Sequence, residues 1–417
     1  MKTNIKKHFI INNLNFKTMK KHTKILAVAF AAIMTIGSVA FVSCQKEYST
    51  AQNNQTVLSG TDSKAISFGK KEVAMKLAEM IDADPAVLTE LKSAINMVTN
   101  YGLDEKVYLY DIANTANSVF IPNGTTFQSL SSVLNTTYLQ GLGLTAGDYY
   151  GDIVIYWPYL DDWTPGTTPV VCYSPDDLSM STTTGFVMVN GTIQQTTVNS
   201  QAVDNGQQKA IVIAIGEHKY SDYPDFKNGV WAKGGARWAN PWMNNNNLLP
   251  WDVNVDGTDT IYEARAFRFT SSGTHYDYFW NGGSEFSIVT VYVTKNGAVH
   301  RDRQYFELSR KQINELKYRD IDLTIHEDWQ PQCGNVDFML YEVDDTHIAT
   351  SVIPIHLEYQ GCTLNDTIMI HSSDDTIGSK SLNRSNYLHR CAVENGIYYL
   401  GAEKINCLAH IYSTPTI

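Results

Sequence analysis

Ten short apolar runs, each bounded by Gly, Pro, Asp or Asn, constrain this chain more than any other feature. They are Ile153–Tyr159, Pro169–Tyr173, Phe186–Val189, Ala210–Ile215, Phe286–Thr294, Ile321–His326, Val336–Val343, Val352–Tyr359, Thr367–Ile370 and Tyr398–Leu400. Runs this short, separated by turn residues, have the length of strands rather than of helices. Between Ile321 and His326 apolar and polar residues alternate, the mark of a half-exposed strand. No helical pattern intervenes, so antiparallel sandwiches are expected in place of a parallel sheet.

Helices are expected only at the start of the body. Val73, Leu77, Met80 and Ile81 share one face of a first helix. A second opens with Asp84 as N-cap and Pro85 in the first turn, carries Leu88, Leu91, Ile95 and Val98, and closes at Gly102. The fold class predicted is therefore mainly β, with a short N-terminal helical hairpin followed by two antiparallel β-sandwich-like modules. The hairpin is assigned to residues 68–112, a β-rich middle domain to 113–250 and a C-terminal β-sandwich to 251–417. The last boundary follows an asparagine-rich stretch that ends at Pro250.

Ahead of these lies an address. Lys20, Lys21 and Lys24 precede an apolar segment from Ile25 to Val42, then Ser43 and Cys44. A basic start, an apolar stretch and small residues before a polar sequence form a signal peptide, assigned to residues 1–43, with translation expected to begin at Met19. The competing reading is a permanent anchor, since the segment approaches the roughly 20 residues that span a bilayer. Residues 44–67 are polar and are expected to form a tether. The seven lysines of residues 1–43 leave the remainder with 25 basic and 43 acidic side chains, a formal charge of −18. Such a balance, with no basic cluster, speaks against nucleic-acid binding.

This leader resembles those of surface lipoproteins of the Bacteroidota, in which the cysteine is lipidated and a short charged run, here Gln45-Lys46-Glu47, follows it. The resemblance implies an outer-membrane protein held by acyl chains (palmitate among them) on Cys44 and facing outward. The body is similar to a loosely defined group of uncharacterised lipoproteins of that phylum. The shared features are a helical pair with an Asp-Pro cap (Asp84-Pro85), a strand ending in Trp157-Pro158 and a C-terminal sandwich of the C2-like type. No activity comes with that likeness.

Candidate sites are few. Asp252, Asn254, Asp256, Thr258 through its carbonyl, and Glu263 fall at positions one, three, five, seven and twelve of a calcium loop, with Gly257 at six. Ca2+ is the cofactor expected there, in a helix-less loop with a structural role. An acidic surface turn is the alternative. A second acidic run, Tyr341-Glu342-Val343-Asp344-Asp345, resembles the acidic loop of C2 domains, with Asp328 and Asp337 as neighbours, and a solvated loop is the competing reading. Trp231, Trp238, Trp242 and Trp251, half of the eight tryptophans, surround Asn244 to Asn247. Indoles of this kind stack on sugar rings while amides read hydroxyls, or they plug a seam between modules.

Outside the cytoplasm disulfides persist, and Cys333 with Cys362 and Cys391 with Cys407 are plausible pairs by spacing, which does not fix connectivity. Three Asp-Thr-Ile triplets resemble the O-glycosylation sequon of the Bacteroidota, at Thr260, Thr367 and Thr376. No GxSxG, HExxH or GxxxxGK[ST] occurs, and the histidines are scattered. The expected function is a non-catalytic binding or structural role at the cell surface towards an extracellular glycan or protein. The competing reading is a hydrolase of surface polymers or peptides whose site assembles from distant residues.

Overall fold

In the computed structural model, which describes residues 60–145, 150–223, 225–227, 236–238, 260–343, 350–371, 374–393 and 396–412, the expected hairpin is formed by α1 (Gly60–Ala83) and α2 (Ala86–Thr99). The stripe of Val73, Leu77, Ile81, Leu88, Leu91, Ile95 and Val98 is buried. Between the helices the Asp84 carboxylate accepts the Ala86 N–H at 2.9 Å, the local bond that makes aspartate a helix opener. Gly102, at φ +91°, turns the chain out of the helix in a conformation that a side chain would oppose.

The chain next enters a six-stranded sheet of β1 (Lys106–Tyr108), β2 (Ile153–Tyr156), β3 (Val170–Tyr173), β4 (Thr182–Val189), β5 (Thr192–Asn199) and β6 (Ala210–Ile215). Its order is β1-β2-β6-β3-β4-β5, antiparallel throughout except that β3 and β6 run parallel. β6 lies inside the sheet, which is why Ala210–Ile215 reads as an unbroken apolar run. The helical pair packs on this sheet, and one apolar core runs from Val73 to Phe226. Lys70, buried in α1, fastens the helix to the end of β3 through the Ser174 carbonyl at 3.0 Å.

The C-terminal half stacks sheets. One contains β15 (Asp375–Asn383), β12 (Asn335–Glu342), β9 (Ser284–Val293), β10 (Val299–Leu308) and β7 (Ala236–Trp238), in that order. The other contains β11 (Tyr318–Trp329), β8 (Thr260–Thr270), β17 (Glu403–Tyr412) and β16 (Ile397–Leu400). Phe269, Phe286, Ile288, Phe306, Leu323, Ile325 and Phe338 fill the space between them. A further hairpin, β13 (Thr350–Tyr359) with β14 (Cys362–His371), covers the other face of β9 and β12 through Ile355, Leu357, Ile368 and Ile370. Strand accounts for 41% of the described structure and helix for 26%, so the mainly β class with antiparallel modules holds.

Three details differ from the sequence reading, the first being that short helices also occur beyond the hairpin, among them Gln128–Val133, Thr136–Gly141 and Arg384–Val393. The strand at Ile321–His326 is not half-exposed, because Thr324 and His326 are buried as well. A register shift between Thr324 and His326 turns the imidazole inward, where it stacks 4.1 Å from Tyr292 and 5.1 Å from Trp329. Cys333 and Cys362 do not pair: Cys333 is buried in the sandwich, Cys362 is exposed at the tip of the β13–β14 hairpin, and both thiols are free.

Candidate functional site

Acids on the turn after α2 and on strands β9 and β10 meet Lys106 between the modules. After Gly102 the chain reads Leu103-Asp104-Glu105-Lys106, and every residue of it is buried. The segment is clamped to the sandwich at both ends. The Glu307 N–H donates to the Gly102 carbonyl at 3.1 Å, and the Asp104 N–H donates to Glu307 Oε2 at 2.8 Å. The Asp104 carboxylate in turn accepts the Gly283 N–H at 2.7 Å.

Glu285 and Glu307 are direct partners across the antiparallel β9–β10 pair. Like charges so placed repel one another. Lys106 resolves the repulsion: its Nζ lies 2.7 Å from Glu285 Oε1 and 3.4 Å from Glu307 Oε2. Lys106, Glu285 and Glu307 are 1%, 2% and 1% exposed. Glu217 and His218 approach from the end of β6 and Asp277 from the loop before β9, while Tyr108 donates to the His218 carbonyl at 2.8 Å. Around this centre lies an apolar and ionic seam. Trp280 enters the first core and donates to the Met180 carbonyl, and Arg310 grips both carboxylate oxygens of Asp204 at 3.0 Å.

The ionisation of the centre follows from burial set against neighbours. Burial opposes the charge on Lys106, but Glu285, Glu307, Glu217 and Asp104 outweigh it and hold the ammonium well above the ordinary lysine range. Burial also raises Glu285, yet Lys106 and a hydrogen bond with Glu217 bring it below the usual glutamate value. Burial, then Asp277 and Glu285, drives Glu217 well above that value. Burial pushes Asp104 up to about 6 against the pull of Lys106, and burial together with Asp104 pushes Glu105 up to about 8.

The sequence-predicted sites stand elsewhere. Cys44, Trp231, Trp242, Trp251, Asp252, Asn254, Asp256 and Thr258 lie outside the described residues. The backbone of Trp238 lies in edge strand β7, in register with Tyr305, and that of Glu263 lies in β8 opposite Glu327 and His410. In the second acidic run, Glu342 ends β12 and is buried rather than solvated. Asp328 pairs with Lys295 at 2.6 Å, and Asp337 accepts the His356 N–H at 3.2 Å. Thr367 and Thr376 are exposed on β14 and β15.

The buried centre escaped the sequence reading because no motif marks it. One signal was present: a single acid, Glu285, stands at the second position of a ten-residue strand that is otherwise uncharged. Chemically the centre offers carboxylates, an ammonium and an imidazole, which together hold a cation or a proton. No protein-family model, curated protein or solved structure matches the chain.

Proposed function

We propose that the chain is a lipid-anchored protein of the outer-membrane surface, held through acylated Cys44, with a non-catalytic binding or structural role towards an extracellular glycan or protein. One observation supports the non-catalytic part most. The densest set of ionisable groups among the described residues is sealed between two modules and consumed in joining them. A catalytic acid or base must reach its substrate, and Lys106, Glu285 and Glu307 do not. A rigid two-module body is suited to presenting surfaces.

An open groove of about 390 Å³ supports a glycan as ligand. It is lined by Tyr173, Asp176, Thr182, Thr183, Thr184 and Thr197, which offer hydroxyls beside an aromatic ring. The Trp231, Trp238, Trp242 and Trp251 cluster is the second candidate surface, and calcium at Asp252, Asn254, Asp256, Thr258 and Glu263 would stiffen the loop next to it. Among the described residues no helix is long and apolar enough to cross a membrane.

Glycan arrays probed with the full chain test the ligand, with Tyr173→Ala and Trp238→Ala plus Trp242→Ala as variants. Binding that one of these variants abolishes supports the reading. Absence of binding, or turnover of an arrayed polymer, overturns it. The anchor is tested by Cys44→Ser, expected to release the protein from the membrane fraction and to end labelling by palmitate.

A further inference from the structure

Lys70 and Asp176 form an ion pair with one member in the interior and the other on the groove described above. The Lys70 side chain is 5% exposed and that of Asp176 is 73% exposed, with Nζ 3.5 Å from Oδ1. Lys70 also donates to the Ser174 carbonyl at 3.0 Å and to Ser174 Oγ at 3.1 Å. An ammonium has three N–H donors, so none is left to meet a ligand. Burial pulls Lys70 below the ordinary lysine value, and Asp176 offsets part of that pull.

The groove lies between the early part of α1, which contributes Ser67, and the β4–β5 hairpin. Of the described residues that line it, only Asp176 carries a charge. Tyr173 is held by stacking on Phe186, with centroids 6.2 Å apart and planes at 18°. Thr182 and Thr184 stand two apart on β4, and Thr184 is the direct partner of Thr197 on β5, so the three share one face. Thr183 spends its hydroxyl on the Tyr173 carbonyl at 2.7 Å. The hydroxyls of Thr182, Thr184 and Thr197 have no such bond among the described residues and stand ready for a ligand.

We propose, resting on the glycan-binding role above, that this groove selects a neutral sugar with vicinal hydroxyls and excludes acidic and cationic sugars. A carboxylate only accepts, so the Asp176 oxygen not held by Lys70 takes a proton from one sugar hydroxyl. A threonine hydroxyl both donates and accepts, so Thr184 and Thr197 read its neighbour. The half-buried Tyr173 ring supplies apolar area for the C–H side of the sugar. A uronate or sulfate would face Asp176 with no free cation to balance it, because the Lys70 donors are all in use. A cationic amino sugar would compete with Lys70 for Asp176 and leave a buried ammonium short of its counter-ion. Neutral hydroxyls make neither demand.

The test is calorimetric titration of the full chain, purified in detergent, at pH 7. Cellohexaose, maltohexaose and mannohexaose serve as neutral probes, hexagalacturonate and a hyaluronate hexamer as acidic ones, and a chitosan hexamer as the cationic one. At least one neutral probe is expected to bind at least about tenfold more tightly than every charged probe. Asp176→Asn should weaken that binding about tenfold and narrow the preference over the acidic probes. Thr184→Val plus Thr197→Val should weaken it by a similar factor and leave the preference in place. Far-UV circular dichroism identifies a variant that fails to fold, and the other variant then decides. Charged probes that bind as tightly as neutral ones overturn the selectivity and leave the glycan-binding role standing. The same holds for neutral binding that survives in the folded groove variants and is lost in Trp238→Ala plus Trp242→Ala. If no probe binds, the selectivity is overturned, and the glycan arrays decide the broader role separately.

Discussion

Lys106 enters the junction between two glutamates that face each other across paired strands, and no other described lysine is an ion-pair partner of either. Removing it leaves both carboxylates buried against each other. Lys106→Met is expected to cost about 3–5 kcal/mol in urea unfolding, the loss typical of one member of a buried pair. Adding Glu285→Gln should recover at least about 1 kcal/mol, which a double-mutant cycle measures directly. Glu105 gives a pH signature. Its folded pKa of about 8 stands above the ordinary 4.5, so the folded chain keeps a proton that the unfolded chain releases within this window. This contribution is complete below about pH 4.5 and is lost as pH rises towards 8, by on the order of a few kcal/mol. Urea melts of Glu105→Gln at pH 5, 6.5 and 8 should show a flatter dependence than the native chain. None of this was legible in the sequence: Asp104-Glu105-Lys106 reads there as an ordinary charged turn, because burial is decided by the partner strands and not by the turn itself.

β9 carries the architecture at the next scale, since each of its residues is buried. Phe286, Ile288 and Tyr292 face the sandwich, and Val289, Val291 and Val293 face the β13–β14 hairpin. Glu285 stands on the hairpin side but at the other end, where the first module replaces the hairpin as cover. Gly283, just before β9, explains how closely β9 and β10 approach here: a Cβ there would meet the Leu308 carbonyl oxygen at 1.7 Å. Gly283→Ala should therefore force β9 and β10 apart and cost about 3 kcal/mol by thermal or urea unfolding. The β13–β14 hairpin belongs to neither large sheet and is held by side chains and, near its turn, by two backbone bonds, the Gly334 N–H to the Glu358 carbonyl and the Gln360 N–H to the Gln332 carbonyl, each 2.8 Å. Its amides should exchange with deuterium roughly tenfold faster than those of β9, and equal protection would contradict a separately docked hairpin. Apolar strands such as β6, β9 and β12 were readable in the sequence. β5, β10 and β15 were not, because Thr192–Asn199 is polar, Val299–Leu308 buries Asp302, Gln304 and Glu307, and Asp375–Asn383 alternates with serine and lysine. Side chains of that type give no period-2 apolar signal.

At the scale of the molecule, the hairpin, the sheet and the sandwich are joined by one seam. Trp280 and Phe279 from the C-terminal half complete the first core, Arg310 binds Asp204, and Lys106 binds Glu285 and Glu307. The mainly β character follows from the sequence because it depends on local composition and period. The seam does not, because it pairs residues about 100 to 200 positions apart. A body so joined should unfold as one cooperative unit, and this claim underlies the rigid surface proposed for ligand binding. Differential scanning calorimetry of the full chain and of Lys106→Met at pH 7 tests it most directly. The native chain is expected to melt in a single transition whose calorimetric and van't Hoff enthalpies agree, and Lys106→Met to melt earlier and in two. Two transitions in the native chain, or an unchanged single one in the variant, would contradict the account.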